Sequence, residues 1–295
     1  MPLILGVDAA WTETGSSGVA LLDCANDWRL IACAPSYSSF IAHADSKPIC
    51  WHRPQPSPLD ATKLLKAAEE LGGGRVDVVA IDIPIASVPF SSRRAADQEI
   101  SRKFGSAWAG THSPNADRPS EYGRRVSTAF VDAGYPLVTS QRRSPALIEI
   151  YPLAALVRLL NVARRPIYKV SKCKAGWPDL TRDQRIAKLL EAWGSILECL
   201  NQGIVGLEFP VPEARNLQSL SALKPYEDAL DAVISSYVGA LFLSGSAQAY
   251  GDAEAAIWVP KVAALRSVKD TYLAAVHETL PEWDAPSDSR AFRTL

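Results

Sequence analysis

The chain has 295 residues, of which 47% are hydrophobic and 21% charged, and its net charge is −1. That length and balance suit a globular protein with a sizeable core, and they exclude a disordered or strongly polyelectrolyte chain. The near-zero charge also argues against a protein that holds nucleic acid by bulk charge alone.

The first apolar run, Leu3 to Val7, is short and rich in Leu, Ile and Val, so it reads as a buried strand ending on Asp8. A carboxylate at the end of a core strand is costly unless something pairs with it. A polar turn with Gly15, Ser16, Ser17 and Gly18 leads to a second strand at 19–23, and Trp28 to Ala34 makes a third. Three strands in succession predict an antiparallel meander. Ser36 to Pro58, punctuated by prolines, reads as loop. A helix is predicted from Leu59 to Leu71, opened by Ser57-Pro58 and stopped by the glycines at 72–74. Val76 to Pro84 holds a fourth strand, and it too closes on a carboxylate, Asp82.

A helix around Arg94 to Phe104 follows, then a loop with Trp108 and His112, and a helix over Ser120 to Gly134. Pro145 to Pro152 is a fifth strand carrying Glu149 near its end. Helices are predicted at Leu153 to Asn161, Thr181 to Leu200 and Pro225 to Leu243, with a late edge strand at Ala255 to Val259. A final helix, Val262 to Leu280, precedes a loose tail from Pro281. Strands separated by helices imply parallel pairing. The expectation is therefore an α/β fold on a mixed five-stranded sheet, meander first and parallel strands after, with flanking helices. Residues 1–260 form the domain, and 261–295 a C-terminal helical extension packed on it.

The best membrane candidate, Ala229 to Phe242, is too short and contains Asp231. No signal peptide is visible, and five scattered cysteines without C-x-x-C spacing fit free thiols, so the expected location is cytoplasmic. Oligomeric state leaves no sequence signal.

If strands one, four and five are parallel neighbours, Asp8, Asp82 and Glu149 share one sheet edge, with adjacent strands about 4.8 Å apart. That is the edge where open α/β sheets bind ligands. Asp228 and Asp231, three apart in the long helix, share a face and can join them. Such a cluster persists when some members are protonated, are paired with Arg, or hold divalent cations. Without His or Cys the chemistry favours Mg²⁺ or Mn²⁺ over zinc. Two such ions about 3.5–4 Å apart activate water and stabilise the leaving oxygen in phosphodiester hydrolysis. Each acid also has a plainer explanation: Asp8 and Asp82 as turn formers, Glu149 paired with Arg142 or Arg143, and Asp228 favouring a helix dipole.

Between Arg93 and Lys188 lie 18 Lys and Arg against 8 Asp and Glu, including four Arg-Arg doublets. This is either a surface for phosphates or a set of solvated helix faces. Within it, His112 is a candidate for proton transfer and Lys169 for a phosphate contact. Trp11 and Trp108, near the presumed edge, are candidates for stacking on a base.

Gly-Val-Asp in strand one, Ile-Asp-Ile-Pro in strand four, Glu-Ile-Tyr-Pro in strand five and Asp-Ala-Leu-Asp-Ala in a late helix occur in order from about Pro2 to Pro260. Together they resemble an uncharacterised family of predicted nucleases with an RNase H-like fold. The resemblance implies a two-metal nuclease with Asp8, Asp82, Glu149 and Asp231 as catalytic and metal-binding acids and Asp228 beside them. It also implies Arg93 or Arg94 as an anion binder, and nucleic acid or a nucleotide as partner. Glu149 lies on a strand, whereas the glutamate of ordinary RNase H enzymes comes from the first helix, so the site looks more like that of Holliday-junction resolvases. The competing readings are a non-catalytic nucleotide-, nucleic-acid- or metal-binding protein of the same fold, and an actin-like or sugar-kinase-like ATPase. The ATPase reading lacks a second Asp-x-Gly hairpin in this chain.

Overall fold

Strands β1 (Leu3–Asp8), β2 (Gly18–Asp23), β3 (Arg29–Ala34), β4 (Val76–Asp82), β5 (Ala146–Ile150), β6 (Ala247–Gly251) and β7 (Ala256–Pro260) form one sheet in the order β3-β2-β1-β4-β5-β7-β6. The computed structural model describes residues 2–261 apart from 13, 14, 53, 56, 113 and 115–119. β1, β2 and β3 pair antiparallel, while β1, β4, β5 and β7 run parallel in succession. Meander followed by parallel strands is the arrangement expected from the sequence.

The sheet has seven strands rather than the expected five, and β7 is not at its edge. β6, Ala-Gln-Ala-Tyr-Gly, carries no β-branched residue and escaped a reading based on strand propensity. It pairs antiparallel with β7 and takes the edge itself, which leaves β7 fully buried.

The helices are α1 (Tyr37–Ala44), α2 (Ala61–Gly72), α3 (Ala95–Phe104), α4 (Ser120–Asp132), α5 (Pro152–Leu159), α6 (Cys173–Gly176), α7 (Arg182–Asn201) and α8 (Lys224–Leu243). α1 corrects the reading of 36–58 as loop. Ser36, which resembles loop composition, is its N-cap and accepts the Ser39 N–H at 3.1 Å, while Tyr37 and Phe40 are buried. In α2 the cap is Asp60, which accepts from the Lys63 N–H at 3.0 Å, and Gly73 closes the helix at φ 70°. The predicted helix at 262–280, the tail, and all but the first residue of the 261–295 extension lie outside the described residues.

Alternation along the strands divides the core in two. Ile4, Ala80 and Ile148 face α5, α7 and α8, whereas Leu5, Val79 and Leu147 face α1, α2 and α4. α8 is buried almost throughout, polar residues included. It lies close against β1 and β2 because Gly6 and Gly18 lack side chains: a Cβ on Gly6 would strike the Ala232 carbonyl, and one on Gly18 the Asp228 carbonyl. This approach brings the acids of α8 to the end of β1. Among the described residues, no helix is long and apolar enough to cross a membrane.

Candidate functional site

Asp8 and Asp82 are register partners across β1 and β4. Glu149 pairs with Ile81, one residue short of Asp82. Because side chains alternate, this offset turns Glu149 to the sheet face opposite Asp8 and Asp82. There its carboxylate is clamped by Arg94, with Nη1 to Oε2 at 2.6 Å and Nη2 to Oε1 at 2.7 Å, and it accepts the Ile85 N–H at 3.0 Å. Burial pushes the Glu149 carboxyl up, and Arg94 opposes that push. The ion pair foreseen for Glu149 therefore exists, but with Arg94 rather than Arg142 or Arg143.

Arg94 is committed on its other side as well. It donates to both Asp97 carboxylate oxygens, at 3.0 and 2.9 Å, and to the Ile85 carbonyl at 2.6 Å. Asp97 accepts in turn from the Arg94 backbone N–H at 3.0 Å, so one network fixes the start of α3 to β5. Arg93 donates to the Asp97 carbonyl at 2.8 Å and to the Ser101 hydroxyl. Glu149, Arg93 and Arg94 do not line the cleft described next.

The face toward α8 opens into a cleft of about 620 Å³ whose floor includes Asp8, Asp82, Lys169, Lys224, Glu227 and Asp228. His112 and Trp11 also line it. The acids of α8 all have partners. Asp231 is fully buried and accepts from the Tyr168 hydroxyl at 2.7 Å and from Lys169. Asp228 accepts from the Ser16 hydroxyl at 2.7 Å and from Lys224. Glu227 accepts from Lys224 at 3.0 Å and from the Val170 N–H at 2.5 Å. Trp193 in turn holds the Tyr168 carbonyl at 2.9 Å, which anchors the segment that delivers Lys169.

Asp8 and Asp82 differ from these. Among the described residues neither carboxylate makes a hydrogen bond or an ion pair, although both backbones belong to the sheet. Burial, then the charge of Asp231, pushes the Asp8 carboxyl well above the usual carboxylate range, with Lys169 opposing. Burial carries Asp82 up to about 7, against the pull of Lys169. Burial alone would lower Lys169, but Asp231 chiefly, with Tyr168, Asp8 and Glu227, holds it well above an ordinary lysine. Asp228 does the same for Lys224.

Among the described residues, no three His, Cys, Asp or Glu side chains converge as a ready-made metal cage. In the cleft, the carboxylates without a partner among the described residues are Asp8 and Asp82. Mg²⁺ is commonly held by one or two carboxylates completed by water and substrate phosphates, so the pair fits such an ion without further protein ligands.

Lys224, Glu227, Tyr168 and Arg165 were not foreseen. Lys224, Glu227, Asp228 and Asp231 are spaced three and four apart, the helical signal that they share a face. Arg165 had no such signal, since its partners are the backbone carbonyls of Ala107 and Trp108.

The model of a family described as proteins of unknown function, DUF429, matches residues 6–255. The chain belongs to this family. The span shared with DUF429 runs from Gly6, which admits α8, through β6, and takes in every residue of the cleft named above. No curated protein and no solved structure matches the chain.

Proposed function

We propose that the protein is a divalent-metal-dependent hydrolase of phosphodiester bonds, a nuclease on an RNase H-like sheet. The observation that carries this reading is the pair Asp8–Asp82: in register, unpartnered among the described residues, and set in a cleft that also presents Lys169, Lys172 and Arg165. Two open carboxylates beside three cations suit a phosphate ester bridged to Mg²⁺ or Mn²⁺. A bound ion would supply Lewis acidity to a phosphoryl oxygen and lower the pKa of water.

The chain's own residues supply the rest. Lys169, oriented by Asp231 and by the Tyr168 backbone that Trp193 holds, places a fixed positive charge where negative charge gathers on phosphoryl oxygens. Lys224 pairs with both Glu227 and Asp228 and offsets one of their two charges, which weakens their repulsion of a phosphate. His112, exposed and lining the cleft, would donate a proton to a departing oxygen. Because lysines occupy the acids of α8, one cation with Lys169 beside it suits the site better than two cations. Glu149 acts at a distance, by fixing α3 and the Ile83–Ile85 segment.

The test is cleavage of single-stranded, duplex and branched oligonucleotides in Mn²⁺ by wild type and Asp8→Asn. Loss of about 4 kcal/mol of transition-state stabilisation slows the variant roughly a thousandfold. Equal rates would overturn the reading. Mn²⁺ binding without cleavage of any substrate would favour a nucleic-acid- or nucleotide-binding protein built on the same cleft.

A further inference from the structure

Trp108 is the most exposed large apolar residue among those described, with 56% of its surface open, and it sits in the left-handed region at φ 61°. A bulky residue rarely adopts that conformation unless its surroundings hold it there. Here they do. The Trp108 N–H donates to the Gly105 carbonyl at 2.9 Å, its carbonyl accepts from Arg165 Nε at 2.6 Å, and the Arg165 N–H donates to the Ala107 carbonyl at 2.9 Å. Two residues on, the Gly110 carbonyl accepts from the Tyr151 hydroxyl at 3.0 Å, and Tyr151 lines the cleft. The indole is thus fastened to the cleft rim by its backbone while its ring stays outside the core.

The ring is already a stacking platform on one side, where the Arg164 guanidinium carbon lies 4.5 Å from its centroid. Arg165 lines the cleft, and its Nη1 is buried with no hydrogen-bond partner among the described residues. A buried guanidinium nitrogen without an acceptor is costly.

We propose that Trp108 and Arg165 form a nucleotide subsite on the cleft rim, where a base of a single-stranded nucleic acid stacks on the open part of Trp108 and an adjacent phosphate meets Arg165. The subsite rests on the reading of the cleft as a phosphate-ester site. An aromatic face beside a cationic groove is the arrangement that binds single strands with little sequence preference, because every base has a π-face. Bases inside a duplex are stacked on each other and do not offer that face, so the subsite selects single-stranded segments.

Fluorescence anisotropy with short labelled oligothymidylate and oligouridylate strands, and with a duplex, tests this in Ca²⁺, alongside cleavage assays in Mn²⁺. Trp108→Leu weakens binding of the single strands about 10- to 100-fold and leaves the duplex unchanged, while Trp108→Phe retains most of the affinity. Arg165→Gln lowers the slope of log affinity against log salt by about 0.7. The two strands separate DNA from RNA, and Trp108-dependence on either supports the subsite. Binding by Trp108→Leu within twofold of wild type, equal losses on strand and duplex, or no binding of any strand by wild type overturns it. Trp108-dependent binding without cleavage removes the hydrolase reading and keeps the subsite, whereas cleavage with Trp108→Leu binding unchanged does the reverse.

Discussion

Asp8 and Asp82 face a cleft rather than a partner, and burial among like charges raises both carboxyls. The sign of the consequence follows from proton binding. Asp82 titrates near 7 in the folded protein and near 4 when unfolded, so between those values the folded state holds the extra proton. Stability without metal is therefore fully present below about pH 4 and declines as pH rises toward 7. Asp82→Asn removes its share of that decline, at most about 4 kcal/mol at pH 8 and less with solvent screening. Melting in chelator at pH 5 and pH 8 checks it: wild type loses more on going to pH 8 than Asp82→Asn does. Identical pH dependence in the two would contradict the assignment. At this scale the sequence made the acids at the strand ends visible, but not which face each one takes. Asp82 stands two residues before Pro84, whereas Glu149 stands three before Pro152, and that one-residue difference matches the register offset that separates them. The partners of Asp231, and the Val170 N–H that meets Glu227, come from the segment around Lys169, far away in sequence, so no local pattern revealed them.

Helix α8 converts a strand-end carboxylate into a site, and it can do so only because β1 and β2 present glycines beneath it. Gly18→Ala places a methyl group against the Asp228 backbone, where no flexible side chain can yield. The expected cost is about 3 kcal/mol or more, at the upper end of overpacking, seen as a lower melting temperature and weaker Mn²⁺ binding. A variant as stable as wild type would show that α8 is not seated this closely. Most elements were legible in the sequence because burial follows periodicity: α8 is largely apolar from Ala232 to Leu243, and β1 and β4 hold short apolar runs, Leu3 to Val7 and Val78 to Ile81. α1 and β6 were not, for they are short and mix Ser, Ala, Gln or Gly with only one to three large apolar side chains, and are specified by a cap and by pairing with β7.

Across the whole molecule, charge is redistributed by the fold. Of the basic segment between Arg93 and Lys188, Arg165, Lys169 and Lys172 line the cleft. Others are held by the chain itself, as Arg142 is by the Leu243 carbonyl at 2.7 Å and Arg185 by the carbonyls of Trp177 and Pro178 at 2.9 and 2.7 Å. The acids of α8 likewise carry lysines, which leaves Asp8 and Asp82 as the cleft carboxylates without a partner among the described residues. A calorimetric titration of metal-free protein with Mn²⁺ therefore tests the account most directly, with Asp82→Asn and Glu149→Gln beside wild type. Glu149→Gln weakens a buried ion pair and lowers stability, by up to about 3–5 kcal/mol, but removes no ligand. The expected result is one Mn²⁺ per chain in wild type, the same stoichiometry in folded Glu149→Gln, and loss of binding in Asp82→Asn. Undiminished binding in Asp82→Asn, or loss confined to folded Glu149→Gln, would contradict it.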